Sequence, residues 1–163
     1  GDIQRNEWTW MTNRPSVSLP SLHCQTLAPG IYGLSNAAID TPWPKTLALK
    51  TALMVSLQQE AKADLQDDSW QELLWASLAN RARTPIDGLP MNGTRHAMES
   101  ALSSAFVEFP EHGYGTRTST ILVARRLTKP ISGNVLRIDM AERTFLHACI
   151  DEAPMVSFVS LNI

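Results

Sequence analysis

An α+β fold, with helices between two sets of antiparallel strands, is what this sequence predicts, and three observations carry the prediction. Threonine and tryptophan alternate near the start, leucines and alanines recur at helical spacing through the middle, and β-branched residues alternate near the end. Strands, then a run of helices, then strands again make one layered unit rather than a parallel α/β sheet. No internal repeat, low-complexity tract or linker interrupts the chain, so residues 1–163 read as a single domain. With 44% hydrophobic and 18% charged residues and a formal net charge of −2, the chain has enough for one modest core. It has no basic run or aromatic stacking pattern of a nucleic-acid binder and no apolar run of roughly 18 residues for a membrane span.

The opening GDIQRNEWTWMTNR reads as a hairpin, turning at Arg5, Asn6 and Glu7, with Trp8, Trp10 and Thr12 on one face. A serine- and proline-rich loop follows and runs through Leu27 to Gly30, after which Ile31 to Ser35 form a short strand ending at Asn36. Pro42 and Pro44 forbid further pairing, and Pro44 suits the first turn of a helix. Leu49, Leu53 and Leu57 then repeat at four-residue spacing, which predicts a helix to about Ala61 whose stripe packs on a sheet. Ser69 and Glu72 have capping-box spacing and open a second helix with Trp70, Leu73, Leu74, Ser77 and Leu78 on one face. A third helix runs from about Thr94 to Phe106, with Met98, Leu102 and Phe106 beside Ala97, Ala101 and Ala105. Alternation over Thr118–Arg126, a turn near Pro130–Asn134, and further strands over Val135–Glu142 and Met155–Leu161 predict a three-strand meander.

Two blocks carry more than secondary structure. PGIYGLSNAAIDTPWPK spans Pro29 to Lys45, and GYGTRTST spans Gly113 to Thr120. Each sets a polar side chain, Asn36 or Arg117, where a strand meets a turn, which is where sites are built. Together the blocks resemble the Asn-Arg-Asp-Glu (NRDE) family, also called transport and Golgi organization 2, whose members carry YGLSN, then TPW and a lysine, then YGTR before a strand. Leu89 and Pro90, Gly93, the run Glu99 to Phe106, and Glu142, Arg143 and Phe145 fit the same pattern, so the resemblance covers nearly the whole chain. The family's opening cysteine and the run that names it are absent. The chain therefore reads as the C-terminal portion of a longer protein, lacking on the order of a hundred residues. The late hairpin, with ARRLTKPISGN, is longer than the family pattern.

The resemblance implies an N-terminal nucleophile (Ntn) hydrolase-like αββα sandwich with antiparallel sheets, incomplete here, and its unpaired edges make an isolated piece prone to aggregate. In hydrolases of that fold a terminal cysteine attacks an amide carbonyl and side-chain donors stabilise the oxyanion. By analogy with bile-salt and penicillin-amide hydrolases, the resemblance gives Asn36 the oxyanion role. It gives Arg117 that of a permanent charge beside the thiol. Read from the residues alone, Asn36 also suits a backbone-bonding turn position, and Arg117 a sheet-edge charge or a partner of Glu99 or Glu142. Tyr32, Lys45, Tyr114 and Thr116 are the candidate ligand-binding residues; Lys45 also fits a solvated helix start, and the tyrosines could simply pack beside glycines.

Two functions follow from the resemblance. One is a cysteine-dependent amide or thioester hydrolase, its nucleophile supplied by the missing N-terminal segment and needing no cofactor. The other is a non-catalytic carrier of haem or a lipid or acyl ligand in intracellular trafficking and Golgi organisation. His23, His96, His112 and His147 have no metal-ligand spacing, no CxxCH is present, and His112 beside GYGTR reads as a loop histidine. Cys24 and Cys149 read as free thiols in a reducing compartment, which makes a cytoplasmic location the default, with mitochondrial or Golgi association open.

Overall fold

The chain begins with a tight turn in which Asp2 and Glu7 exchange backbone hydrogen bonds and the Asp2 carboxylate accepts the Arg5 amide at 3.0 Å. Asn6, one of the few residues that tolerate a left-handed backbone, supplies φ 55° there. A computed structural model describes residues 1–13, 23–35, 37–60, 68–89, 96–131, 133–145 and 153–163. It divides into two compact units, one of Trp8–Tyr114 and one of Gly1–Glu7 with Gly115–Ile163. The fold is mixed α and β, and all its registered strand pairs are antiparallel.

In the first unit, β1 (Trp8–Thr12) pairs with β2 (His23–Leu27), Trp8 opposite Leu27 and Thr12 opposite His23. The expected strand at Trp8–Thr12 is present, but its partner is HCQTL, which had read as the end of a loop. Non-local pairing overrides the weak strand character of that segment. Trp10 is buried and its ring meets the His23 imidazole edge-on at 5.7 Å.

Helix α1 (Pro44–Glu60) begins at the proline expected to start it. Its buried residues are Thr46, Ala52 and Ser56, whereas Leu57 is exposed and Leu49 and Leu53 are half-buried. Leu49 and Leu53 thus lie on the packed side without being fully buried, and Leu57 at its outer edge. The buried residues are small because α1 packs on another helix, α2 (Glu72–Leu78), and on the 3₁₀ turn Asp68–Gln71 before it. Small side chains let the tryptophan-rich partner approach closely. Trp70, Leu74 and Trp75 are buried there, while Leu73 faces solvent. Gln71 stands at the cap of α2 and makes no side-chain capping bond there, and Ser69 and Trp70 belong to the 3₁₀ turn that leads into the helix.

Helix α3 (His96–Ala101) is shorter than expected. The Ser103 hydroxyl donates to the Ser100 carbonyl at 2.7 Å and the Ser104 hydroxyl to the Phe106 carbonyl at 2.6 Å. Serine hydroxyls that bond nearby carbonyls offer the backbone an alternative to helix, and here the chain bends instead of continuing. Phe106 is nevertheless buried, its amide donating to the Asn80 carbonyl at 2.9 Å. A short ribbon follows, β3 (Glu108–Phe109) with β4 (Tyr114–Gly115). The 3₁₀ turn Pro110–His112 between them closes at Gly113, whose φ of 58° explains the first glycine of GYGTR.

The second unit is the expected meander of β5 (Thr118–Ile131), β6 (Asn134–Thr144) and β7 (Met155–Asn162), in that order across the sheet. The long hairpin keeps regular register from Thr118 opposite Thr144 to Arg126 opposite Leu136, then shifts before Ile131 meets Asn134. The Phe145 amide donates to the Arg117 carbonyl at 2.8 Å, so the ERTF segment lies beside the start of β5. Asp139 is buried at the centre of one face and accepts hydrogen bonds from Arg137 Nε at 3.0 Å, Ser160 Oγ at 2.6 Å and Arg125 Nη1 at 3.4 Å. All of β7 is exposed, and on one face Leu122, Met140 and Val159 form an uncovered row across the three strands.

Candidate functional site

The block from Tyr32 to Lys50 is built around one aspartate. The Asp40 carboxylate accepts the Gly33 amide at 2.8 Å and the Lys50 ammonium at 2.7 Å, and the Asp40 amide donates back to the Gly33 carbonyl at 2.7 Å. These reciprocal bonds clasp the ends of the 33–40 loop. They also replace the strand expected over Ile31–Ser35, since the Gly33 amide and carbonyl are spent on Asp40 rather than on a neighbouring strand. The Lys50 hydrogen bond, then that from Gly33, holds the Asp40 carboxyl below its ordinary value. Asp40 itself has φ 57°, a conformation aspartate tolerates. Gly33 is needed for space: a Cβ there would overlap the Thr46 Cγ2 methyl on α1. Tyr32 is exposed and its hydroxyl donates to the Ala28 carbonyl at 2.9 Å. With Gly33, Leu34, Thr46, Leu49, Lys50 and Leu53 it lines a shallow, mainly apolar hollow of about 190 Å³.

Beyond that clasp, TPWPK enters α1 and builds a larger cleft. Trp43 is buried, and its indole N–H has no acceptor among the described residues. Lys45, on the first turn, is half-buried: its Nζ donates to the Leu102 carbonyl at 2.6 Å and lies 5.7 Å from the Trp43 ring centroid. Burial pushes its pKa below the ordinary lysine value. Lys45 opens onto a cleft of about 310 Å³ whose other polar lining is Ser77, Asn80, Arg83, Thr84 and Ser103, with proline and alanine supplying the rest. This volume lies at the lower end of small-molecule pockets.

The cleft wall is fixed by local bonds. Asn80 Oδ1 accepts the Ala82 amide at 2.8 Å, turning the chain sharply after α2. The Ser103 hydroxyl accepts the Thr84 amide at 2.8 Å, which ties the segment after α2 to the bend after α3. Arg83 Nη2 donates to the Glu108 carbonyl at 2.7 Å, whereas the Glu108 carboxylate pairs with Arg81 Nε at 3.3 Å. Neither Lys45 nor Arg83 has an ion-pair partner among the described residues, and no carboxylate is among the residues lining the cleft.

Of the candidate catalytic and ligand-binding residues named from the sequence, Lys45 alone among the described ones lines this cleft, and it is half-buried rather than fully solvated. Tyr32 lines the separate hollow. Tyr114 is exposed at the end of the helical unit; Thr116, half-buried, and Arg117, exposed, belong to the sheet unit. Arg117 has no ion-pair partner among the described residues; the Glu142 carboxylate instead accepts the Thr120 hydroxyl at 2.9 Å from across the hairpin. Asn36 lies outside the described residues, as do His147, Cys149 and the loop 14–22. Cys24 is a free, exposed thiol, and His112 stacks obliquely on Phe109 at 4.2 Å. Sequence reasoning missed Asn80, Arg83 and Ser103. Their shared signal was weak, since turn-forming ARTP and a helical-looking serine pair gave no hint that they would converge.

Residues 1–145 match the sequence model of the family described as Transport and Golgi organisation 2. The chain is 35% identical over 100 residues to the Transport and Golgi organization protein 2 homolog of Bos taurus, an alignment covering 60% of this chain and 35% of that protein. It is 34% identical over 99 residues to the homolog of Homo sapiens and 33% over 97 residues to that of Mus musculus, with the same shares covered. The matched stretch thus spans about a third of the length of these relatives. No helix among the described residues is long and apolar enough to cross a membrane.

Proposed function

The chain belongs to the Transport and Golgi organisation 2 family, and on that premise we propose that it works as a non-catalytic carrier of a small acyl or lipid-derived ligand, held in the cleft beside the first turn of α1. One observation carries this reading: Lys45, from the family-like TPWPK block, is half-buried on the wall of a cleft of ligand size. A lysine is costly to desolvate, and placing one there makes sense where a ligand compensates it. The names of the relatives, which refer to transport and Golgi organization, fit a carrier that moves cargo inside the cell, in the cytoplasm or at an organelle. Haem is the larger cargo the same family resemblance implies. None of the residues lining this cleft is a histidine, cysteine, methionine or tyrosine, so a haem would be gripped here through its propionates rather than its iron.

A second reading, hydrolysis, draws on Arg117. Its exposed guanidinium has no ion-pair partner among the described residues, as suits a group kept for a developing negative charge. In that reading the whole protein forms an Ntn-hydrolase-like sandwich, to which this antiparallel sheet and these helices contribute, and a cysteine elsewhere in it is the nucleophile. Asn36 would be the oxyanion donor, with Tyr114 and Thr116 near the substrate.

Titration of the chain with haem and with short acyl compounds, followed by absorption and tryptophan fluorescence, tests the carrier. Saturable one-to-one binding is expected; failure of every compound to bind would remove it. For hydrolysis, mass spectrometry of a longer protein bearing the family's cysteine should show an acyl adduct that is weakened by Asn36→Ala or Arg117→Ala.

A further inference from the structure

We infer that the cleft recognises the anionic end of its ligand, a carboxylate or phosphate, through Lys45 and Arg83 acting from opposite chain segments, while its alanine and proline wall takes the first carbons behind it. The inference rests on the ligand-carrier reading and adds which end of the ligand enters and what chemistry it has. Lys45 comes from the start of α1 and Arg83 from the segment after α2, so two cations reach one cavity. Each spends a hydrogen bond on a backbone carbonyl, Lys45 on Leu102 and Arg83 on Glu108, which orients the group without neutralising it. The nearby carboxylate that could have neutralised Arg83, that of Glu108, pairs with Arg81. The remaining polar lining, Ser77, Asn80, Thr84 and Ser103, is uncharged; the Ser77 and Thr84 hydroxyls and the Asn80 side-chain N–H groups can donate to an oxyanion, whereas the Ser103 proton is spent on the Ser100 carbonyl.

The apolar part is small-sided: Pro44, Ala48, Ala82, Pro85 and Ala105. Such a wall accommodates a narrow alkyl chain, and a guanidinium fork and an ammonium suit a group with two or more oxygens. The burial that lowers the Lys45 pKa agrees with this geometry, because a bound anion would restore the environment an ammonium prefers.

The test uses three probes of one chain length on the intact chain: hexanoate, hexyl phosphate and hexanamide, titrated by tryptophan fluorescence and calorimetry. At least one anionic probe is expected to bind tenfold or more tightly than the amide, and Arg83→Gln, on an exposed side chain, to lose most of that preference. Lys45→Met should lose it further. Hexanoate ahead of hexyl phosphate would assign a carboxylate end, and the reverse order a phosphate end. Equal binding of all three, unchanged in Arg83→Gln, would overturn the anion inference while leaving the carrier intact. Binding of none would overturn both.

Discussion

The helical unit and the sheet unit are held together in opposite ways. In the first, α1 turns a face of Thr46, Ala52 and Ser56 to its neighbours, and Trp70, Leu74 and Trp75 are buried in the same unit. In the second, three strands align around a buried aspartate, while an entire strand, β7, stays exposed. Large rings against small side chains gain their stability from area removed from water and from shape. A carboxylate gripped by two arginines and a serine gains its hold from charge and geometry, and that hold can be titrated.

The largest effect should come from Trp75→Ala, which leaves a cavity between the helices and should cost about 3–5 kcal/mol. Hydrogen exchange at α1 and α2 amides would report it, and the loss should be the same at pH 7 and at pH 5, as expected where what is lost is area removed from water. A loss that varied with pH would erase the distinction between the two units.

Next is Asp139→Ala, which removes the ion pairs with Arg125 and Arg137 and the bond from Ser160. Because Arg137 is partly exposed, about 2–4 kcal/mol is expected, toward the low end for a broken buried pair. Burial pushes the Asp139 carboxyl up, but the hydrogen bonds from Ser160 and Arg137 and the charges of Arg137 and Arg125 outweigh it and hold the group below its ordinary value of 3.8. A lowered carboxyl contributes fully above the unfolded value and loses that contribution as pH falls through the folded one. Protection at β7 amides should therefore drop with acid below about pH 4 in the natural chain and show no such step in Asp139→Ala.

The smallest is Gly33→Ala, expected to cost about 1–3 kcal/mol by forcing a Cβ onto the Thr46 methyl. Adding Thr46→Ser, which deletes that methyl, should recover most of the loss. If it does not, the clasp between Gly33 and Asp40, rather than space, is what the alanine disturbs.

How far the sequence could be read follows the same division. Where a segment's fate is decided by its own residues, sequence and structure agree: Pro44 opens α1, and alternation over Thr118–Arg126 and Val135–Glu142 marks the hairpin, whose strands extend to Ile131 and Thr144. They differ where partners come from elsewhere. HCQTL is a strand only because Trp8–Thr12 lies beside it. Leucine periodicity in α1 did not show which residues are fully buried, because small residues, Thr46, Ala52 and Ser56, invisible to a hydrophobicity pattern, make the close contact. Ser103 and Ser104 ended α3 early through bonds that no helical wheel displays. Lys45 could be nominated because a block of recognisable spacing contains it. Arg83, Asn80 and Ser103 could not, because the cleft joins three separate stretches whose convergence no local pattern encodes.

The bond from Lys45 to the Leu102 carbonyl has a consequence for the order of assembly. It closes a separation of 57 residues, whereas the turn joining β5 to β6 is spanned by Ile131 opposite Asn134. Loop-closure entropy makes the longer connection roughly 2–3 kcal/mol more demanding. Contacts between neighbours in sequence form early and distant ones late. The hairpin can zip as soon as its turn exists, while the cleft waits until the chain beyond α3 has been brought back to the first turn of α1, so the ligand's seat is among the last features of the helical unit to be completed.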